Sequence, residues 1–129
     1  MKIQYWESNH KIYIQLIDNT ATLLSKIIID INCDEYPRYK EYCKNNKLVK
    51  IIRVETHPNY IGKGYASKLI KFAIKKLKEY NFILLCSPCK RSENTDTLNT
   101  ISDLENFYSK FGFIRTKELL PTMIRKSDI

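Results

Sequence analysis

The sequence predicts an α/β (α+β) fold, in which a mixed but mostly antiparallel β-sheet carries helices packed on it. Three observations indicate this class: a strand-like first third, a strand, glycine turn, helix and strand in the middle, and a second helix before two short strand-like segments. A chain of 129 residues is long enough for one core and short for two. We therefore predict one domain over residues 1–129.

The first third contains three segments rich in β-branched and aromatic residues, KIQYWE, KIYIQLID and ATLLSKIIIDIN. The polar stretches SNH and DNT between them are typical of turns, which predicts an antiparallel meander. Residues 33–47 then break the pattern with Pro37 and many charges. Either a short helix after the proline or a loop is consistent with this segment.

The middle of the chain predicts a parallel strand pair. A strand is expected over residues 47–57, ended by Pro58. From Gly62 to Tyr80, apolar residues recur at three- and four-residue steps opposite a series of lysines, as in a helix lying on a sheet. The segment FILLCSP reads as a short buried strand. Such a unit requires a parallel pair with a right-handed crossover inside the antiparallel sheet.

The last third predicts a helix and a hairpin. Ser102 and Glu105 fit a capping box, and the helix that follows, of about three turns, carries its apolar residues at helical spacing. Gly112 stands where a left-handed residue commonly ends a helix. FIRTKE and TMIRK are expected to pair as strands around LLPT.

The composition favours anionic partners. Lys and Arg outnumber Asp and Glu by 22 to 14, for a net charge of +8. Phosphate-bearing small molecules, acidic protein surfaces and nucleic acid all remain open, although nucleic acid is not favoured because arginine is sparse. With no apolar run of about 18 residues and no apolar leader, the expected protein is soluble and cytoplasmic.

The four cysteines allow a metal or redox interpretation. Cys86 and Cys89 have the C-x-x-C spacing, but nine residues separate Cys33 from Cys43, unlike the short loops that chelate zinc. Ordinary reduced thiols are favoured, and no metal is expected.

Two of the three glycines, Gly62 and Gly64, stand directly before the first helix. Free N–H groups and the helix dipole at such a terminus suit a phosphate. The third glycine of a dinucleotide motif and the lysine of a Walker loop are both missing. On the two glycines alone, a tight turn without a ligand is equally consistent with the sequence.

The segment THPNYIGKGYASKL resembles the acetyl-CoA signature of the GNAT acetyltransferase superfamily, Q/R-x-x-G-x-G/A, and ENFYSKFGFIRT resembles that superfamily's second signature. The resemblance covers roughly residues 47–116. It implies a GNAT-like sheet whose central parallel pair is splayed around the coenzyme, and an enzyme that transfers acetyl from acetyl-CoA to an amine.

The resemblance also implies a coenzyme site. The pyrophosphate would lie on the amides of residues 62–66, with Ser67 in the first helical turn, and the pantetheine arm would pair with the backbone of residues 54–56. The residues implied in coenzyme binding are Val54, Glu55, Thr56, Ile61, Gly62, Lys63, Gly64, Tyr65, Ala66, Ser67, Tyr108 and Lys110. Ile61 departs from the usual Gln or Arg. Lys63 and Lys110 would add charge near the phosphates or be solvated surface lysines.

Two residues are candidates for catalysis. The resemblance places the family's general-acid tyrosine at Tyr108, and a phenol with a reference pKa of about 10 can protonate a thiolate. The alternative is a core aromatic. Glu55 is the candidate base, directly or through water, with an Arg53–Glu55 surface pair as the alternative. His57, before a proline in a turn, is interpreted as a loop residue, and Asn99 is given no role.

The acceptor is less determined. No clear helix pair separates the early strands, and in the family that the sequence resembles such helices often wall off the acceptor. The resemblance therefore implies an open site suited to a protein lysine or N-terminus, and the basic composition favours an acidic surface around it. A small-molecule amine, a nucleic-acid-binding module and a non-catalytic CoA-binding regulator are alternatives. Either a monomer or a homodimer is compatible with the sequence. Ser87 and residues 33–47 would flank the acceptor side.

Overall fold

The computed structural model of the protein describes residues 1–32, 37–43, 47–87 and 100–128. The strands are β1 Lys2–Ser8, β2 Lys11–Ile17, β3 Leu23–Asp30, β4 Leu48–Thr56, β5 Asn81–Leu85, β6 Ile114–Arg115 and β7 Thr122–Arg125. The helices are α1 Tyr65–Lys76 and α2 Ile101–Ser109, with short 3₁₀ turns at Pro37–Tyr42 and Pro58–Tyr60. The seven strands form one sheet in the order β1-β2-β3-β4-β5-β7-β6.

The predicted meander is confirmed. β1, β2 and β3 pair antiparallel in sequence order. Asn9 and His10 join β1 to β2, and both have positive φ, as a tight hairpin turn requires. No helix interrupts residues 1–32, a stretch that is described without gaps.

The predicted parallel pair is confirmed as well. β4 and β5 run parallel over four residue pairs, from Leu48 with Asn81 to Ile51 with Leu84. All other strand pairings in the sheet are antiparallel. Helix α1 forms the crossover and packs its buried residues Leu69, Ile70 and Ala73 against the sheet.

Helix α1 is shorter than its apolar pattern predicts. The pattern continues to Tyr80, but the helix ends at Lys76. Leu77 leaves helical geometry at φ −114° and ψ 40°, while its side chain stays buried. The tail of the helix is a turn in which the N–H of Tyr80 donates to the carbonyl of Leu77 at 3.0 Å. Because Leu77 is buried although it lies after the helix, the apolar spacing of the sequence continues past the end of the helix.

The predicted cap of the second helix is wrong. Thr100, not Ser102, is the N-cap of α2, and its hydroxyl accepts a hydrogen bond from the N–H of Asp103 at 3.0 Å. Ser102 lies inside the helix, and Glu105 forms an ion pair with Arg115. The N-cap thus lies two residues earlier than predicted, and the apolar spacing of the helix is compatible with either start.

The two faces of the sheet are covered differently. α1 and α2 pack on one face, here called the helix face, over the large core. On the opposite face, here called the outer face, Tyr39 of the 3₁₀ turn lies buried against Leu48 and Ile83. This turn after Pro37 agrees with the helical alternative for that segment, whereas residues 33–36 and 44–46 lie outside the described part of the chain.

The C-terminal hairpin is confirmed, although its first strand is short. β6 pairs antiparallel with β7, and β7 also pairs with β5. Gly112 ends the helical region with φ 92°, as predicted. Arg125 of β7 connects the hairpin to the end of α2, because its Nε donates to the carbonyl of Phe111 at 2.6 Å.

Candidate active site

The parallel pair separates beyond its fourth rung. β5 continues along β7, and β4 continues to Thr56 along β3. A bulge accompanies the separation, because Ile28 and Ile29 of β3 pair with Arg53 and Ile51 and skip Ile52. From Ile52 onward, the β5-facing edge of β4 borders a cleft instead of a strand.

The glycine turn lies at the helix-face end of this cleft. Gly64 is the N-cap of α1 with φ 80°, and Gly62 has φ 84°. No side chain caps the helix, and the first bond onto the turn is the N–H of Lys68 to the carbonyl of Gly64 at 3.0 Å. Among the described residues, the amides of residues 62–67 have no acceptor. They are therefore available to a ligand.

The turn is also open to solvent. A Cβ built on Gly62 or Gly64 would meet no atom within 4 Å. These glycines are therefore required by their positive φ and not by crowding within the protein.

A cleft of about 580 Å³ connects the turn, the split strands and α2, which is within the usual size range of small-molecule sites. Most of the predicted coenzyme-binding residues line it, namely Val54, Glu55, Thr56, Ile61, Gly62, Gly64, Tyr65, Ala66, Ser67, Tyr108 and Lys110. Lys63 is exposed and is not among the lining residues, so its side chain points elsewhere. Ser87, expected near the acceptor, also borders the cleft.

Tyr108 is both a core aromatic and a cleft residue. Its ring packs edge-on against Phe107 and lies 5.7 Å from that of Phe113, while the residue is 7% exposed. Its hydroxyl has no hydrogen-bond partner within the described residues, and it is not sealed from solvent. Burial raises the pKa of Tyr108, with a smaller contribution from Cys86. The phenol is therefore protonated at neutral pH.

Glu55 is part of a charged cluster on the outer face. Its carboxylate lies 2.9 Å from the Arg53 guanidinium and 3.7 Å from the Lys26 ammonium. The predicted Arg53–Glu55 pair is thus present, and Glu55 also lines the cleft. His57 lies in the turn, as expected, where its Nδ1 accepts from the N–H of Asn59 at 3.1 Å.

The sequence did not reveal several residues of the cleft. Ile52 is 40% exposed at the bulge. Two adjacent isoleucines before Arg53 break the alternation of a strand and were the available signal. Tyr60 also lines the cleft, with its ring 6.3 Å from that of Tyr65. Leu104 and Phe107, which helical spacing places on the apolar face of α2, border the cleft as well.

Cys86 is buried beside this site, and burial raises the pKa of its thiol to about 11, with a further contribution from Glu105. It is therefore a neutral thiol. Its C-x-x-C partner Cys89, like Cys33, lies outside the described residues. In the described ranges, no three His, Cys, Asp or Glu side chains cluster as metal ligands would, and no helix has the length and apolarity to span a membrane.

The unpaired amides at the N-terminus of α1, the split between the parallel strands and the buried phenol of Tyr108 thus border one cleft. The sequence matches the family model described as acetyltransferase (GNAT) domain over residues 16–115. The chain therefore belongs to the GNAT acetyltransferases, which are acyltransferases that use acetyl-CoA. Comparison with curated proteins gives no match.

Solved structures share the fold. The Bacillus subtilis N-acetyltransferase YlbP, solved with coenzyme A, is 16% identical with a TM-score of 0.60, over 90% of this chain and 68% of that one. A Corynebacterium glutamicum protein named histone acetyltransferase HPA2 and related acetyltransferase is 12% identical with a TM-score of 0.64, over 94% and 67%. The Escherichia coli ribosomal-protein-S18-alanine N-acetyltransferase is 14% identical with a TM-score of 0.59, over 92% and 68%.

Proposed function

We propose that this protein is an N-acetyltransferase that moves acetyl from acetyl-CoA to a primary amine of a protein, either a lysine side chain or an N-terminus. One observation carries the proposal: a single cleft joins the free amides of residues 62–67 to the Tyr108 side chain through the split between β4 and β5. A coenzyme held at both ends of that cleft has its acyl group next to a protonated phenol.

The residues present fit acetyl-CoA, which supplies the activated thioester when bound. The amides of residues 62–67 would hold the diphosphate, aided by the positive end of the α1 dipole. Ile61 offers no polar side chain at the turn's entry, so the main chain provides most of this binding. The edge of β4 at Val54, Glu55 and Thr56 would pair with the amides of the pantetheine arm. Lys110 borders the same cleft and adds positive charge.

Tyr108 acts as the general acid. As the amine nitrogen bonds to the carbonyl carbon and the carbon–sulfur bond breaks, the phenol gives its proton to the departing sulfur. Burial makes Tyr108 a weaker acid, but the thiolate forms in the same water-poor cleft, where its own affinity for a proton also rises. Backbone N–H groups near the bulge would polarise the carbonyl.

Glu55 is the proposed base that takes the proton lost by the amine, directly or through water. Its carboxylate lies on the outer face beside the cleft. Arg53 and Lys26 pair with this carboxylate and would hold it at the border of the cleft.

The protein acceptor is supported by the exposure of Trp6 and Arg53 on the outer face, among the residues that the structure describes. β1 and β2 are joined by a tight hairpin, so no helix from residues 1–32 walls off that side of the cleft. The E. coli fold relative is named for acetylating a ribosomal protein's alanine, so a polypeptide amine is compatible with this architecture. The net charge of +8 favours acidic surroundings on the target.

Replacing Tyr108 by Phe tests the mechanism. We expect kcat to fall by roughly 100- to 10,000-fold, because the proton donor is lost, while the affinity for acetyl-CoA measured by calorimetry changes little. Tyr80→Phe, outside the cleft, is the matched control and should leave the rate unchanged. A Tyr108→Phe rate within a factor of two of the original would refute the general-acid role.

The acceptor class is tested with radiolabelled acetyl-CoA and a cell lysate. Label in protein bands supports the proposal, and label confined to small amines contradicts it. Coenzyme binding without transfer to any amine would instead indicate a regulator. Salt-sensitive oligonucleotide binding without stabilisation by acetyl-CoA would favour the nucleic-acid alternative.

A further inference from the structure

Four neighbouring strands contribute one side chain each to a continuous row on the outer face. The strand registers align Trp6 with Tyr13, Tyr13 with Ile28, and Ile28 with Arg53. We call these four residues the outer row. It crosses the sheet from the free edge of β1 to the split strand β4.

The outer row is apolar at its edge and accessible. The Trp6 and Tyr13 rings are stacked, with centroids 5.3 Å apart and an interplanar angle of 11°, and Trp6 is 40% exposed. The adjacent row is polar, with Gln4 aligned to Gln15 and Lys26 aligned to Glu55. A stacked aromatic pair with a polar border is a preformed, low-entropy contact for a partner's apolar side chain.

The outer row leads directly into the cleft. Arg53, at its end, lines the cleft together with Ile52 at the bulge. The turn that would hold the diphosphate lies at the opposite end, where α1 begins on the helix face. If the coenzyme enters from that side, as the proposed function requires, the acceptor must approach over the outer face.

Charge selects the kind of acceptor. Lys26 and Arg53 share a single carboxylate, Glu55, so this cluster has one positive charge in excess. A flanking acidic residue on the acceptor would complete the pairing.

We propose that the outer row docks an extended acidic segment of the acceptor protein, which places an apolar side chain on the Trp6–Tyr13 stack and its amine at the split of β4. The inference rests on the proposed function. Strands lie about 4.8 Å apart, so β1 and β4 are separated by about 14 Å, which an extended chain spans in about four residues. The apolar anchor therefore lies about four to five residues from the residue that carries the acetylated amine.

Synthetic peptides test this spacing. Each contains one lysine, two flanking glutamates and a leucine placed two or five residues away on either side, with Nα-acetyl-lysine methylamide as the minimal amine. We expect one of the two five-residue peptides to have a kcat/KM at least tenfold above those of the two-residue peptides and the minimal amine. Equal values for all substrates would overturn the docking inference.

Trp6→Thr tests the surface itself, since threonine retains a preference for strands. We expect KM for the preferred peptide to rise about tenfold, with kcat and the activity on the minimal amine unchanged. Leu119→Ser, at a fully exposed position outside the outer row, is the control and should change neither the KM for the peptide nor the activity on the minimal amine. An equal loss on both substrates, no loss on either, or dissociation of a dimer by Trp6→Thr in sedimentation would each overturn the inference.

The two proposals fail differently. Acetylation of the minimal amine without any preference among peptides leaves the enzyme proposal standing and removes the docking surface. Absence of transfer to every amine, with or without coenzyme binding, removes both.

Discussion

The two helices of this protein begin in opposite ways. α2 starts at Thr100, whose hydroxyl accepts from the N–H of Asp103, and the acidic Asp103 lies in the positive first turn. α1 starts at Gly64, which has no side chain to offer, and its first turn contains no acidic residue. One N-terminus is satisfied within the protein, and the other is left with its amides and its dipole unopposed.

The cap of α2 serves the stability of the fold, whereas the uncapped N-terminus of α1 leaves amides available to a ligand. A missing cap costs a helix about 1 kcal/mol. α1 tolerates the loss because it buries Leu69, Ile70 and Ala73 completely, whereas Tyr108 is the one buried residue of α2 and still borders the cleft. The stronger packing of α1 therefore leaves its N-terminus free for binding.

The largest effect is expected from giving α1 the cap that it lacks. In Gly64→Asp, the carboxylate would cover the amides and repel a diphosphate, and aspartate tolerates positive φ better than most residues. We expect the affinity for acetyl-CoA, measured by calorimetry, to fall about 100-fold while the melting temperature changes little. Gly64→Asn would cap the helix without adding a charge, so its affinity for acetyl-CoA should lie between those of the original protein and Gly64→Asp. Full affinity in Gly64→Asp would show that the diphosphate does not bind there.

A smaller effect is expected from backbone strain alone. Gly64→Ala and Gly112→Ala both place a Cβ at positive φ, at 80° and 92°, and in neither would it come closer than 3.4 Å to a neighbouring atom. We expect each to lose about 1 kcal/mol of unfolding free energy in urea denaturation. Gly64→Ala should in addition weaken acetyl-CoA binding by several-fold, because the amides shift.

Gly112→Ala is the control for that loss of affinity, since it lies outside the cleft. Equal weakening of coenzyme binding by both variants would assign the effect to general destabilisation and not to the turn.

The smallest effect on function is expected at the capped helix. Thr100→Ala removes the hydroxyl that accepts from Asp103 and should cost about 1 kcal/mol of stability by thermal or urea unfolding. Binding of acetyl-CoA should be unchanged within a factor of two. Thr100→Ser, which keeps the hydroxyl, should restore most of the stability; if it does not, the cap is not the cause.

Much of the fold was predictable because local chemistry determined it. The glycines at 62 and 64 and the apolar series of α1 predicted the turn, the crossover and the parallel pair. Where two local patterns were equally good, the sequence could not choose: Thr100 with Asp103 and Ser102 with Glu105 both fit a cap. The structure has the cap at Thr100.

Features of the site that depend on residues far apart in the sequence were harder to predict. The Ile52 bulge arises from the register with β3, and the sharing of Glu55 between Arg53 and Lys26 depends on the same pairing. The spacing of Tyr108 was compatible with a core residue or with a residue of the cleft, and in the structure its side chain is buried and also borders the cleft. The roles of these residues in catalysis stay predictions.

The sheet is continuous, but its two parts share a short contact between β4 and β5. Four residue pairs, between Leu48–Ile51 and Asn81–Leu84, form the whole strand seam between its two parts. The two parts thus meet along a short line, and the cleft lies beyond it. A ligand that paired with the edge of β4 in this cleft would extend the contact between the two parts of the sheet.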